Sequence, residues 1–177
     1  MNKSLLFVIA PEQFKDVELL ETRRICQEAR FQVDVVSTQV GDAVGMDGYV
    51  EAVNLLLQDA DPLNYEALVI VGGYGSVGHL WDCIPLHQLV KAFVAQDKLV
   101  AAICVSPVVL AKAGVLKKEN ATVWAMPESL EAFKDHGVHY QDAPVVVSNR
   151  LITANSPESA TAFGQAIVDF LQLKVDD

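Results

Sequence analysis

No apolar run in this chain is long enough to cross a membrane. The first, residues 5–10, has six residues, against roughly 20 for a membrane helix and about 7–15 for a leader core. Positive charge is in deficit. Lys and Arg number 13 against 23 Asp and Glu, a formal net charge of -10. That balance argues against nucleic acid or an anionic membrane as the partner. Cysteine is scarce, at three residues without close spacing, so no disulfide framework is expected. Reduced thiols suit a cytoplasmic location. No pair of Cys or His has metal-ligand spacing, so the sequence calls for no metal and no other cofactor. Only 7 prolines and 10 glycines interrupt a chain that is 51% hydrophobic, a composition that excludes disorder. Internal repeats, low-complexity stretches and linkers are absent from the sequence.

What is present is an alternation of apolar runs and helical patterns. Strands are expected at residues 5–10, 32–37, 67–71 and 99–103, and helices at 15–30, 86–96 and 108–113. A short hairpin is expected around Asp47-Gly48 and a turn at 59–64. Further along come a strand near 122–125, a helix at 127–134, a hairpin made of 145–147 and 151–153, and a closing helix at 157–173 with Ser156 as its N-cap. Strands that alternate with helices predict a mostly parallel sheet covered on both faces. In such sheets ligands bind beyond the carboxyl ends of the strands.

Three chemistry-bearing segments then fall on one edge. Cys104 ends the strand at 99–103 and stands just before a helical stretch introduced by Pro107. A thiol at a helix N-terminus is expected to have a lowered pKa. Gly72 and Gly73 end the strand at 67–71, and their backbone N–H groups could face a thiolate or a developing oxyanion, together with that of Val105. Acids Glu12, Asp16, Glu18 and Glu21 follow the first strand, and spacing does not choose among them. Gly73 to Gly78 is a literal G-x-G-x-x-G, but no long helix follows it, and Asp97 precedes a strand where a ribose-binding acid should close one. Cys26 reads as structural, and Cys83 has no clear role. His79, His87, His136 and His139 lie in polar surroundings and read as surface residues.

The elbow Ala101-Ala102-Ile103-Cys104 with Pro107, the segment Phe14-Lys15-Asp16-Val17-Glu18-Leu19, the strand Ala67-Leu68-Val69-Ile70-Val71-Gly72-Gly73, and Gly48-Tyr49 occur in an order that resembles the ThiJ/PfpI family. The resemblance runs along nearly the whole chain, to Pro157 and the closing helix. It implies one domain over 1–177 with a flavodoxin-like three-layer α/β sandwich of the class I glutamine amidotransferase type, and a homodimer. It also selects Glu18 as the acid that hydrogen-bonds the nucleophilic cysteine. Three family positions for a histidine are filled otherwise, by Val105, by Met126 before Pro127, and by Ser156 before Pro157 and Glu158. His79 or His139 would have to reach in to form a dyad.

The expected activity is that of a cysteine-dependent, glyoxalase- or deglycase-like enzyme. It would act on a small-molecule substrate, a reactive carbonyl or its adduct. Cys104 would be the nucleophile, Glu18 the proton shuttle, and Gly72, Gly73 and Val105 the backbone donors. Tyr74, His79, Trp81, Trp124, Met126 and Ser156 are candidates for lining the pocket. The alternatives are a redox-sensing stress protein acting through Cys104 oxidation, a relative of the intracellular cysteine peptidases with degraded machinery, and a binding or scaffold protein on an inherited fold.

Overall fold

Three all-apolar stretches set the architecture, because each can be satisfied only by burial on both faces of a sheet. They become β1 (Ser4–Val8), β7 (Ala67–Ile70) and β8 (Leu99–Ile103). All of these residues are buried except Ser4, which is partly exposed. The structure is a computed structural model and describes residues 3–173. Between β1 and β7 run β2 (Glu12–Phe14), α1 (Asp16–Glu28), β3 (Gln32–Ser37), β4 (Gly41–Gly45), β5 (Val50–Val53) and β6 (Leu55–Leu56). Two 3₁₀ turns, Leu57–Asp59 and Pro62–Asn64, lead into β7, where a single turn is expected. Between β7 and β8 lie α2 (Tyr74–His79) and α3 (Ile84–Ala95). After β8 come α4 (Pro107–Lys112), β9 (Asn120–Ala121), α5 (Pro127–Asp135), β10 (His139–Tyr140), β11 (Val145–Ser148), β12 (Leu151–Ala154) and α6 (Ala160–Leu173).

The main sheet has seven strands in the order β11-β12-β8-β7-β1-β3-β6. All its pairings are parallel except the β11–β12 hairpin. Helices α1 and α6 pack on each other, and α3 packs against β7 and β8. This is the mostly parallel, flavodoxin-like α/β arrangement. The chain runs from β1 outward to β3, then returns to β7 on the other side of β1. The order reverses at that point, so a crevice opens there beyond the strand ends. Gly72 and Cys104 follow two adjacent strands at this crevice, and Glu18 approaches it on α1.

A separate three-stranded sheet, β2-β4-β5, stands beside the crevice. Its β4–β5 hairpin turns at Asp47-Gly48, as expected, with Gly48 at φ 91. Asp16 ties the hairpin to α1. Its two carboxylate oxygens accept the N–H groups of Asp47 at 2.8 Å and Tyr49 at 2.7 Å.

Two local expectations are corrected. No strand forms at 122–125; the pairing stops at Ala121, because Thr122 N–H donates to Thr153 Oγ1 and Trp124 N–H to the Cys104 carbonyl. Nor does Ser156 cap the closing helix through its side chain. A 3₁₀ turn, Pro157–Ser159, comes first, and Ser156 Oγ lies 3.1 Å from Ser159 Oγ instead. Among the described residues no helix is long and apolar enough to cross a membrane.

Candidate active site

Cys104 has φ 64, in the left-handed region that a side chain enters at a cost of about 1–3 kcal/mol. Such strain persists only where the surroundings enforce it. Here Cys104 N–H donates to the Ala154 carbonyl at 2.9 Å, and the Cys104 carbonyl accepts Trp124 N–H at 2.7 Å. One residue on, the Val105 carbonyl accepts the Trp81 indole N–H at 2.9 Å. Ser106 Oγ donates to the Val71 carbonyl at 2.7 Å and lies 2.7 Å from Ser76 Oγ. The elbow is thus fastened to β12, to the end of β7 and to α2. Cys104 as a whole is left 8% exposed.

Of the four acids after β1, only Glu18 is fully buried and aimed at the thiol. Its Oε1 accepts Gly72 N–H at 2.9 Å, so that N–H, expected among the donors to a thiolate or oxyanion, is already engaged, and its Oε2 is buried without a hydrogen-bond partner. Gly72 is where the two groups meet. A Cβ there would stand 2.7 Å from Glu18 Oε1 and 2.8 Å from Cys104 Cβ. Asp16 is spent on the hairpin, Glu21 pairs with Arg24, and Glu12 lies beside His79. Burial pushes the Glu18 carboxyl up to about 8, while the Gly72 amide, the Cys104 thiol and the Lys15 charge pull it back. Glu18 therefore holds its proton at neutral pH.

Cys104 departs from expectation. Its thiol is pushed up, not down: burial is the largest cause, the Glu18 charge adds to it, and only the Val105 and Gly73 N–H groups pull the other way. Two features defeat the helix effect. α4 is six residues long, and burial in a low-dielectric site disfavours the charged thiolate. Cys26 is pushed up to about 12 by burial alone.

A cleft of about 200 Å³ opens over the thiol. Its walls include Cys104, Val105, Gly73 and three of the expected pocket residues, Tyr74, Trp124 and Met126. Sequence reasoning missed Lys15, Met46, Val77 and Pro157, which also line it. The hairpin and the α1 cap bring in the first two, and no motif marks them. His79, Trp81 and Ser156 do not line the cleft. His79 Nε2 turns to Glu12 Oε1 at 3.1 Å, and Trp81 is packed behind Val105 as a brace. His87 is not the surface residue expected. It is buried, with Nε2 2.8 Å from the Trp81 carbonyl, and supports that brace. His136 Nδ1 lies 2.9 Å from the Ala132 carbonyl, and His139 sits on β10. No histidine lines the cleft among the described residues. Two of the three positions where family histidines were expected, Val105 and Met126, do line it and make it apolar there.

A second depression, of about 330 Å³, shares Met46 and Tyr74 with this cleft and reaches Glu12 and Gln13. The G-x-G-x-x-G segment forms the short helix α2, with Gly73 at φ 104 as its cap. Gly75 packs so close to the Glu12 carbonyl that a side chain would collide with it. Gly73 serves the cap and Gly75 the packing, Gly78 stands in open space, and α2 is six residues long, which leaves the dinucleotide reading without support. No cluster of three or more His, Cys, Asp or Glu converges as metal ligands would, among the described residues.

Comparison with known proteins places this geometry among relatives. Residues 3–170 match the model of the DJ-1/PfpI family. The chain is 45% identical to MJ0967 of Methanocaldococcus jannaschii over 97% of its own length and 83% of that protein's. It is 28% identical to the deglycase PYRAB04690 of Pyrococcus abyssi, over 94% of this chain and 99% of the relative. It is 26% identical to the glutathione-independent glyoxalase DJR-1.2 of Caenorhabditis elegans, over 97% and 90%. The crystal structure of a ThiJ/PfpI domain protein from Brachyspira murdochii superposes with a TM-score of 0.92 at 31% identity, covering 97% of this chain and 98% of that one.

Proposed function

Because the chain belongs to the DJ-1/PfpI family, we propose that it is a cysteine-dependent enzyme acting on small reactive carbonyls or their adducts, with Cys104 as nucleophile and Glu18 as proton shuttle. One observation carries the reading. A strained cysteine, 8% exposed as a whole, faces a buried carboxyl across Gly72, at the floor of a cleft of about 200 Å³. Relatives named as a deglycase and a glyoxalase support the general kind of chemistry.

The perturbed carboxyl suits a shuttle. A group titrating near 8 can both take and return a proton close to neutrality. Ionised Glu18 accepts the thiol proton as sulfur attacks the carbonyl carbon. The C–S bond forms, the carbonyl π pair moves to oxygen, and the Gly73 and Val105 N–H groups are the donors placed to hold that charge. Glu18 then returns its proton to the oxygen, giving a hemithioacetal. With a 2-oxoaldehyde, Glu18 next removes the proton on that carbon and delivers it to the neighbouring carbon, while the hydroxyl proton of the first carbon passes to the oxygen of the second. The product is the thioester of a 2-hydroxy acid, which water hydrolyses. The net change is the addition of one water. Peptide cleavage is less suited to this site, because among the described residues no histidine lines the cleft to protonate an amine leaving group.

Turnover of methylglyoxal is the direct test. Cys104→Ser is expected to abolish it, and Glu18→Gln to lower kcat/KM by about 10²–10⁴-fold. In the wild type, kcat/KM should rise with pH through about 8, as Glu18 ionises. Equal turnover in the wild type and Cys104→Ser would reject the enzyme reading. Absent turnover, with peroxide converting Cys104 selectively to a sulfinate, would favour the redox-sensing alternative.

A further inference from the structure

The shuttle mechanism leaves Lys15 without a task, yet among the described residues it is the one charged side chain in the cleft wall. The remaining lining is thiol, thioether, aromatic, aliphatic and backbone. Lys15 Nζ donates to Asp47 Oδ2 at 2.9 Å, and that partner is the more exposed of the two, 58% against 25%. Water screens Asp47, so the pair is a weak one. An ammonium has three donors, and Asp47 engages one. The carboxylate of Asp16 adds its charge to the field on Lys15, while both its oxygens accept backbone amides. The Lys15 backbone is fixed to the site, with its N–H donating to the Gly72 carbonyl at 3.0 Å. Its charge acts on the Glu18 carboxyl, and that of Glu18 acts on Lys15, so the ammonium stands within electrostatic reach of the reacting groups. A cation with spare donors beside an apolar cleft is a receptor for one anionic group on an otherwise uncharged ligand.

We propose that Lys15 is a specificity-determining residue that binds a carboxylate on the substrate. The cleft would then select small carbonyl compounds that carry a carboxylate over neutral carbonyls of equal size. The chemistry of this substrate class rests on the reading of Cys104 above; the anion binding does not.

Two isosteric pairs of probes separate the two ideas. Lactate and lactamide differ in one charge, and their binding to the full chain can be followed by tryptophan fluorescence, because Trp124 lines the cleft. Trp124→Phe identifies its signal against that of Trp81. Wild type and Cys104→Ser should both bind lactate about 3- to 10-fold more tightly than lactamide, a preference that added salt weakens. Lys15→Gln should erase the preference, and Lys15→Arg should keep it. The second pair is iodoacetate and iodoacetamide. Their rate ratio at Cys104, normalised to the partly exposed Cys83 of the same chain, should fall by a similar factor in Lys15→Gln. Unchanged selectivity in Lys15→Gln overturns the proposal while leaving the nucleophile intact. A lactate preference that depends on Lys15, in a chain whose Cys104 resists both alkylating agents, would sustain the proposal and sink the nucleophile.

Discussion

A single hydrogen atom at position 72 sets the spacing of the candidate site. Replacing it by a methyl group in Gly72→Ala would press on Glu18 Oε1 at 2.7 Å, on Cys104 Cβ at 2.8 Å and on the Ile103 carbonyl at 2.8 Å. None of these can swing away freely, since two belong to the elbow and the third is buried. The variant should lose about 1–3 kcal/mol of stability from overpacking. It should also alkylate faster at Cys104, because the carboxyl that helps to push the thiol up is driven from it. Urea midpoints and alkylation rates measure the two effects, and wild-type values for both would show the contact to be slack. Cys104 and Glu18 were legible in the sequence because the elbow and the acidic segment are local patterns. Choosing Glu18 over Glu12, Asp16 and Glu21 took the family resemblance; in the structure burial makes the same choice. The direction of the Cys104 shift was not legible. It depends on how much of the thiol is buried and on which charge lies opposite, and neither is a property of the local sequence.

At the scale of elements, the hairpin β4–β5 depends on one carboxylate. Asp16→Ala would leave the Asp47 and Tyr49 N–H groups without their acceptor. Charge-assisted bonds of this kind are worth about 1.5–3 kcal/mol each before the variant relaxes. We expect faster amide exchange at residues 46–49 and a weaker Lys15–Asp47 pair, with the seven-stranded sheet protected as before. Hydrogen exchange resolved by residue tests this, and uniform loss of protection across β1 and β7 would contradict it. The elements easiest to read were those with one pattern throughout. β1, β7 and β8 are wholly apolar, and α1 and α3 keep helical spacing. The short elements hid. α2 is disguised by Gly75 and Gly78, while β2, β6 and β10 have three or two residues each, too few for any period to show. The strand expected at 122–125 failed for another reason. Its backbone groups serve Thr153 and Cys104 in place of a ladder.

For the whole molecule, the buried Glu18 links stability to pH. Its carboxyl titrates near 8 when folded and near 4.5 when unfolded. Between those values the folded chain holds a proton that the unfolded chain has released. Raising the pH through this window therefore destabilises the fold, by up to about 5 kcal/mol from this group. Below 4.5 both states are protonated and the effect vanishes. Glu18→Gln lacks the titration, so its stability relative to wild type should climb from pH 5 to pH 8.5 and be flat below pH 4.5. Urea denaturation across that range gives the answer, and a pH-independent difference would mean that the carboxyl is not perturbed. The layered architecture was legible from the alternation of strands and helices. The division of labour between its two sheets was not, because β2, β4 and β5 look in sequence like excursions from the main sheet. That division has an evolutionary consequence. The large sheet carries the thiol, while the small one carries Met46 and Asp47 and is joined to α1 through Asp16. A hairpin can be exchanged, lengthened or recharged between descendants as a cassette. On the proposed function, a change confined to the hairpin alters the cleft lining at Met46 and leaves the elbow of Cys104 as it is.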